Sequence, residues 1–237
     1  MARVQLFHLS AEHNPLAVLF YEPRRPCGVT IVAGHGYSSS KQNLDFLCSF
    51  LASHGYGVYS LDFPGHKLGA SGGELRGVED CIEAMQRVLA FARERGDDDS
   101  YTLGHSMGGM TAIFTAALDV RVLGTVAIAT GNGRPTSLEA LQKVGATDFR
   151  ASYVVGVTLP ELVANVDARY AELLPRLAGR PALYVSAARD GMVSPRSVRE
   201  LFERAPEPKS FATIDSDHTY AAENAKATVL EWLRGHH

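Results

Sequence analysis

Short runs rich in Val, Ile, Leu and Tyr alternate along the chain with longer stretches whose apolar residues recur every three or four positions. The alternation predicts strands separated by amphipathic helices, and so a mostly parallel sheet with helices on both faces. The first two runs, residues 3–9 and 16–22, flank the turn-prone His13-Asn14-Pro15 and read as an antiparallel hairpin or meander. A strand at 28–33, a helix at 42–54 with Leu44, Leu47, Cys48 and Leu51 on one face, and a strand at 57–63 follow. Helix 77–94 sets Val78, Cys81, Ile82, Met85, Val88, Leu89 and Phe91 at helical spacing and ends near Gly96. Next come a short strand at 101–103, a helix to about Leu118 and a strand at 122–129. The chain closes with strand 182–187, helix 195–204, strand 209–214 and helix 219–234.

Between residues 131 and 179 the alternation lapses. Short helices are expected at 136–143 and 159–176, with Phe149, Tyr153 and Tyr170 among them. The stretch reads as a cap inserted over one end of the sheet, where loops of such folds carry specificity. With 237 residues, 46% of them hydrophobic, and no break in composition, one domain spanning 1–237 is expected.

Charge narrows the choice of partner. The 23 basic and 26 acidic residues include no Lys/Arg block able to neutralise a run of phosphates, so nucleic acid is not expected; a small neutral or apolar molecule is. No apolar run reaches the roughly 18 residues that a membrane span needs. The acidic run Asp97-Asp98-Asp99 reads as a solvated turn, since three adjacent side chains cannot converge on one ion. Cys27, Cys48 and Cys81 are too widely spaced for a CxxC pair and odd in number. They read as buried thiols in a reducing compartment, and with no signal-like apolar stretch at the N-terminus the expected location is the cytoplasm. No HExxH or clustered His/Asp set calls for a metal, and neither Gly34-His35-Gly36 nor Gly131-Asn132-Gly133 completes a dinucleotide-binding GxGxxG.

The chemistry concentrates where a strand meets a helix. In Gly104-His105-Ser106-Met107-Gly108 a serine stands between two glycines, directly after strand 101–103 and directly before a helix. A sharp strand-to-helix turn needs small residues two before and two after the serine, and it projects the hydroxyl above the helix N-terminus. Ser106 is therefore the candidate nucleophile. A hydroxyl needs a base, which must come from another segment. Of nine histidines, His218 follows the last strand at the end of the sheet where Ser106 emerges; His66, in the loop after strand 57–63, is the competitor. Asp190 is the acid in the loop one strand before His218 and is placed to orient it. Asp217 should diverge from its neighbour His218, and Asp215 reads as a loop anchor. His35-Gly36-Tyr37 follows the third strand at the same end, so the backbone N–H groups of Tyr37 and Met107 are the candidate oxyanion donors. His35 itself reads as a packing residue of that loop.

The order Ser106, Asp190, His218 is that of the α/β-hydrolases. With the stretches His35–Lys41 (HGYSSSK), Asp62–Ser71 (DFPGHKLGAS), Gly104–Gly109 (GHSMGG) and Ser216–His218 (SDH), the chain resembles that superfamily over nearly its whole length. Within it the sequence is similar to small bacterial esterases, including the cinnamoyl and feruloyl type, to monoacylglycerol lipases and to acyl thioesterases. The resemblance implies an α/β-hydrolase fold and cleavage of a small-molecule carboxylic ester through an acyl-serine intermediate, without cofactor. A thioesterase, or a non-catalytic ligand-binding protein on the same fold, are the alternatives. The sequence departs from the pattern in GHKLGAS, where many members carry GHGxS, and in residues 131–179, which match no known lid.

Overall fold

The computed structural model describes residues 3–133 and 152–236. The expected helix at 136–143, and Phe149, lie outside the described residues. Eight strands form one sheet: β1 (Arg3–Leu9), β2 (Leu16–Glu22), β3 (Thr30–Gly34), β4 (Gly57–Leu61), β5 (Ser100–His105), β6 (Val122–Ile128), β7 (Ala182–Ala187) and β8 (Lys209–Ile214). Their spatial order is β1-β2-β4-β3-β5-β6-β7-β8. The β1–β2 and β2–β4 pairs are antiparallel and every later pair is parallel. Every residue of β3, β4 and β7 is buried, as expected of strands covered on both faces, whereas edge strand β1 is largely exposed.

The covering helices are α1 (Asp45–Ser53), α2 (Val78–Glu94), α3 (Met107–Leu118), α4 (Leu159–Val163), α5 (Val166–Leu173), α6 (Pro195–Arg204), α7 (Ala221–Asn224) and α8 (Lys226–Arg234). On one face Cys81, Met85 and Val88 of α2 pack with Met110 and Phe114 of α3, Leu173 of α5 and Leu201 of α6. On the other, Leu47, Cys48 and Leu51 of α1 pack with Val229 and Leu233 of α8.

Several boundaries move for identifiable reasons. β4 stops two residues before the expected end because Phe63 gives its backbone N–H to His35 Nε2 (3.0 Å) rather than to a neighbouring strand. β5 is longer than its apolar signal, since Ser100, Gly104 and His105 continue the ladder with β6. The stretch expected as helix 159–176 is α4, α5 and a 3₁₀ turn at Leu174–Leu177, and the closing helix breaks at Ala225. Cys48 and Cys81 are core thiols, but Cys27 is exposed, contrary to the expectation of three buried thiols: it lies in the turn before β3, its N–H held by Gly55 O at 2.9 Å.

From β3 the chain passes to β4 on one side and, through α2, to β5 on the other. The carboxyl ends of β3 and β5 therefore flank the point where the winding reverses, which is where open α/β sheets hold their ligands.

Candidate active site

Ser106 leaves β5 with φ 54° and ψ −118°, a conformation sparsely populated by L-residues. The glycines around it make that turn possible. A methyl group on Gly104 would lie 2.1 Å from the Gly108 carbonyl carbon, and one on Gly108 would lie 2.0 Å from Gly34 O, so α3 starts in direct contact with β5 and β3. Ser106 N–H bonds to Ile128 O (2.8 Å), and Ser106 O accepts from Gly109 N–H (3.0 Å) and from the Thr130 hydroxyl (3.0 Å). The Ser106 side chain caps no helix N–H.

Asp190 follows β7 and His218 follows β8, and the two loops bring the pair together. His218 Nδ1 lies 2.7 Å from Asp190 Oδ2, and the carboxylate's other oxygen accepts from Met192 N–H (2.8 Å) and Val193 N–H (2.7 Å). A carboxylate only accepts, so the shared proton sits on Nδ1 and Nε2 is left with its lone pair. Asp215 pairs instead with Arg189, and Asp217 Oδ1 accepts from Tyr220 N–H at 3.0 Å, away from the His218–Asp190 pair.

A contact that the sequence did not reveal lies under this pair. His105 Nε2 donates to the His218 carbonyl oxygen at 2.9 Å, and the two rings are 4.7 Å apart. His105 is half-buried and borders one of the cavities at Ser106. Desolvation, followed by the neighbouring His218, pushes its pKa down to about 3, so it remains a neutral donor. The residue just before the serine thus ties β5 to the loop carrying His218.

The loop after β3 lies against the serine: a methyl on Gly36 would be 3.4 Å from Ser106 Cβ. Met107 N–H, in the first turn of α3, has no carbonyl four residues earlier within the helix to accept it. The loop is held by His35, whose Nδ1 donates to Gly36 O (2.7 Å) while Nε2 accepts from Phe63 N–H. Burial and the neighbouring His66 push the His35 pKa down to about 3. In the unfolded chain an imidazole titrates near about 6.5, so between that pH and about 3 the unfolded state binds a proton that folded His35 refuses. Stability is therefore expected to fall as the pH drops through this window. Urea midpoints measured from pH 7 to pH 4 should decline, and His35→Gln should flatten the decline; an equally steep slope in the variant would refute the assignment to His35.

Lys41 and Asp62, at the ends of two of the motif stretches, form a buried ion pair through Lys41 Nζ and Asp62 Oδ2. Asp62 also accepts from Lys41 N–H (2.7 Å) and Ala70 N–H (2.7 Å). Burial works against its charge, but the hydrogen bonds from the Lys41 ammonium and those two N–H groups outweigh it and hold the carboxyl below its usual range. The pair binds the loops after β3 and β4 to each other. Lys41→Met would leave the carboxylate unpaired, and is expected to cost about 3–5 kcal/mol of unfolding free energy in urea titrations. A loss below about 1 kcal/mol would mean that the backbone donors alone suffice. His66, the alternative base, is buried with Nδ1 donating to Pro64 O (2.9 Å), and it is not among the described residues lining the cavities at Ser106.

Two cavities meet at Ser106 and His218. Leu159 and Met192 also line both. The segment that carries Leu159 is stitched over the rim. Lys67 N–H bonds to Tyr153 O (2.8 Å), Val155 N–H to Gly65 O (2.8 Å) and Val157 N–H to Leu75 O (2.8 Å), and the Tyr37 hydroxyl donates to Val157 O (2.9 Å).

A sheet wound to both sides of β3, with a strained serine at the turn from β5 into α3, is the architecture of the α/β-hydrolases. Residues 31–236 match the alpha/beta hydrolase family, and the chain belongs to that family. Among solved structures it is similar to the esterase Pf2001 of Pyrococcus furiosus (TM-score 0.76, 19% identity, 99% of this chain and 93% of that one). It is similar also to Est1E from Butyrivibrio proteoclasticus (0.77, 16%, 97% and 98%) and to the monoacylglycerol lipase of Paleococcus ferrophilus (0.70, 21%, 98% and 100%). No curated protein matches the chain by sequence. Among the described residues no helix is long and apolar enough to cross a membrane.

Proposed function

We propose that the protein is a serine hydrolase that cleaves carboxylic esters through an acyl-serine intermediate, with Ser106 as nucleophile, His218 as base and Asp190 orienting the base. One observation carries this reading: His218, bonded to Asp190 at 2.7 Å, lines the same cavities as the strained Ser106. Ser106 Oγ forms a bond to the acyl carbon while its proton passes to His218 Nε2, and the N–H groups of Tyr37 and Met107 hold the oxyanion. Each such donor contributes roughly 3 kcal/mol to the transition state. The bond to the alcohol then breaks and the alcohol takes the proton from His218. Water repeats the sequence, releasing the acid and restoring Ser106. The esterases and the lipase among the similar structures are in line with this chemistry.

Within one domain, residues 131–179 are read as the cap, a role supported by Leu159, Val163 and Val166 lining the wall beside Ser106. Free cysteines, one of them exposed, suit the reducing cytoplasm. The test is labelling by a fluorophosphonate, with relative rates on matched oxygen esters, thioesters and anilides. Labelling at Ser106 with oxygen esters fastest is expected. A faster thioester would make it a thioesterase, and an unlabelled protein without turnover would make it a ligand-binding protein on this fold.

A further inference from the structure

Val157 is gripped from two sides. Its N–H bonds to Leu75 O (2.8 Å), and its carbonyl oxygen accepts from the hydroxyl of Tyr37 (2.9 Å). Past Val157 the chain stiffens at once: the N–H and the hydroxyl of Thr158 both donate to the Glu161 carboxylate at 2.8 Å, closing the first turn of α4. Leu159, the next residue, lines both cavities at Ser106. At the other end of this tie the Tyr37 ring packs edge-on against His66, 5.9 Å between centroids, and His66 forms a backbone bridge with Val154 of the same segment. Ser38, which follows Tyr37, has φ 57°, in the left-handed region that a serine keeps only where its surroundings hold it.

We infer that the Tyr37 hydroxyl is a positioning group that joins the cap to the oxyanion site, so that a substrate pressing on Leu159 seats the Tyr37 N–H. The inference rests on the ester-hydrolase reading, in which that N–H is an oxyanion donor, and adds how the wall and the donor act on each other. One residue serves both: its backbone faces the reacting oxygen and its side chain holds the segment that carries Leu159. A tyrosine side chain turns about few bonds, so fixing its hydroxyl and its ring edge restrains the backbone that bears it. Contact energy at Leu159 that is complete before reaction only lowers KM; the part passed to the oxyanion donor lowers the barrier and raises kcat. The demand on that donor is exacting, since a misplacement of about 1 Å costs on the order of a hundred-fold in rate.

Tyr37→Phe keeps the ring and the backbone N–H and deletes only the tie. The test is kcat and KM on p-nitrophenyl acetate, whose acyl group offers the cap little surface, and on p-nitrophenyl hexanoate, whose acyl group offers more. Wild type, Tyr37→Phe, Leu159→Ala and the double variant are compared. In the wild type kcat should be higher on the hexanoate. Tyr37→Phe should lower that kcat by about ten-fold with KM within about two-fold of wild type, and should lower kcat on the acetate less. Leu159→Ala should do the same from the cap side, and the double variant should be no slower than the slower single one, because both changes break one chain of contacts. Urea unfolding checks the fold of each variant. Leu159 is half-buried, so Leu159→Ala reads the same split even if Tyr37→Phe proves unstable. A rise in KM alone, equal losses of kcat on the two esters, or additive effects in the double variant overturns the coupling. If the wild type cleaves both esters, any of these leaves the ester-hydrolase reading standing; if it cleaves neither and no fluorophosphonate binds, both fall.

Discussion

Ser106→Ala is expected to remove ester turnover and fluorophosphonate labelling together, with a fall in kcat on the order of a million-fold. Losses of that size accompany removal of the nucleophile from a group of residues acting as a unit. The fold should survive the change. The Ser106 side chain caps no helix N–H, and its backbone bonds to Ile128 and Gly109 do not involve the hydroxyl. Alanine carries the same Cβ into the same φ of 54°, so the strain of the turn is little altered. Turnover of p-nitrophenyl butyrate and urea unfolding, measured on one preparation, check both halves. Residual activity within a hundred-fold of wild type would remove Ser106 from the nucleophile's role.

Asp190→Asn is expected to lower kcat by about ten-thousand-fold while the loop keeps its shape. The reason lies in which atoms the carboxylate already serves. Met192 and Val193 direct their N–H groups at Oδ1, and an asparagine in this place would turn its carbonyl oxygen toward them. Its amide nitrogen would then face His218 Nδ1 as a donor, forcing that nitrogen to accept. The imidazole proton would move to Nε2, leaving no lone pair for the Ser106 hydroxyl. Steady-state kinetics and urea unfolding test this. A loss of less than about ten-fold with an unchanged fold would show that the orientation of His218 does not depend on this carboxylate.

His105 shows why part of the site could not be read in advance. Its neighbours in sequence mark the turn at Ser106, because the glycine spacing reports a local steric demand. Its bond to the His218 carbonyl joins residues 113 apart, and only the path of the loop after β8 brings them within 2.9 Å. The Lys41–Asp62 pair is a similar case. Both residues stand in stretches that carry the family resemblance, yet nothing in either stretch states that they meet and lock two loops. The hydroxyl of Tyr37 on Val157 O spans 120 positions, and it brings the segment before α4 to the residue whose N–H is the candidate oxyanion donor.

What the sequence by itself determined is what depends on short range. Hydrophobic periodicity located the strands and most helices, since burial repeats every two or 3.6 residues whatever the partner. Their alternation gave the parallel sheet, and the chain order of a serine, an acid and a histidine at the ends of strands named residues that topology then gathers at one rim. Tertiary structure decided the rest: the exposure of Cys27, the break at Ala225, the neutral histidines packed behind the loops and the meeting of two cavities at Ser106 and His218. Each of these depends on side chains from distant segments sharing one volume, and neither periodicity nor spacing along a chain encodes which segments those are.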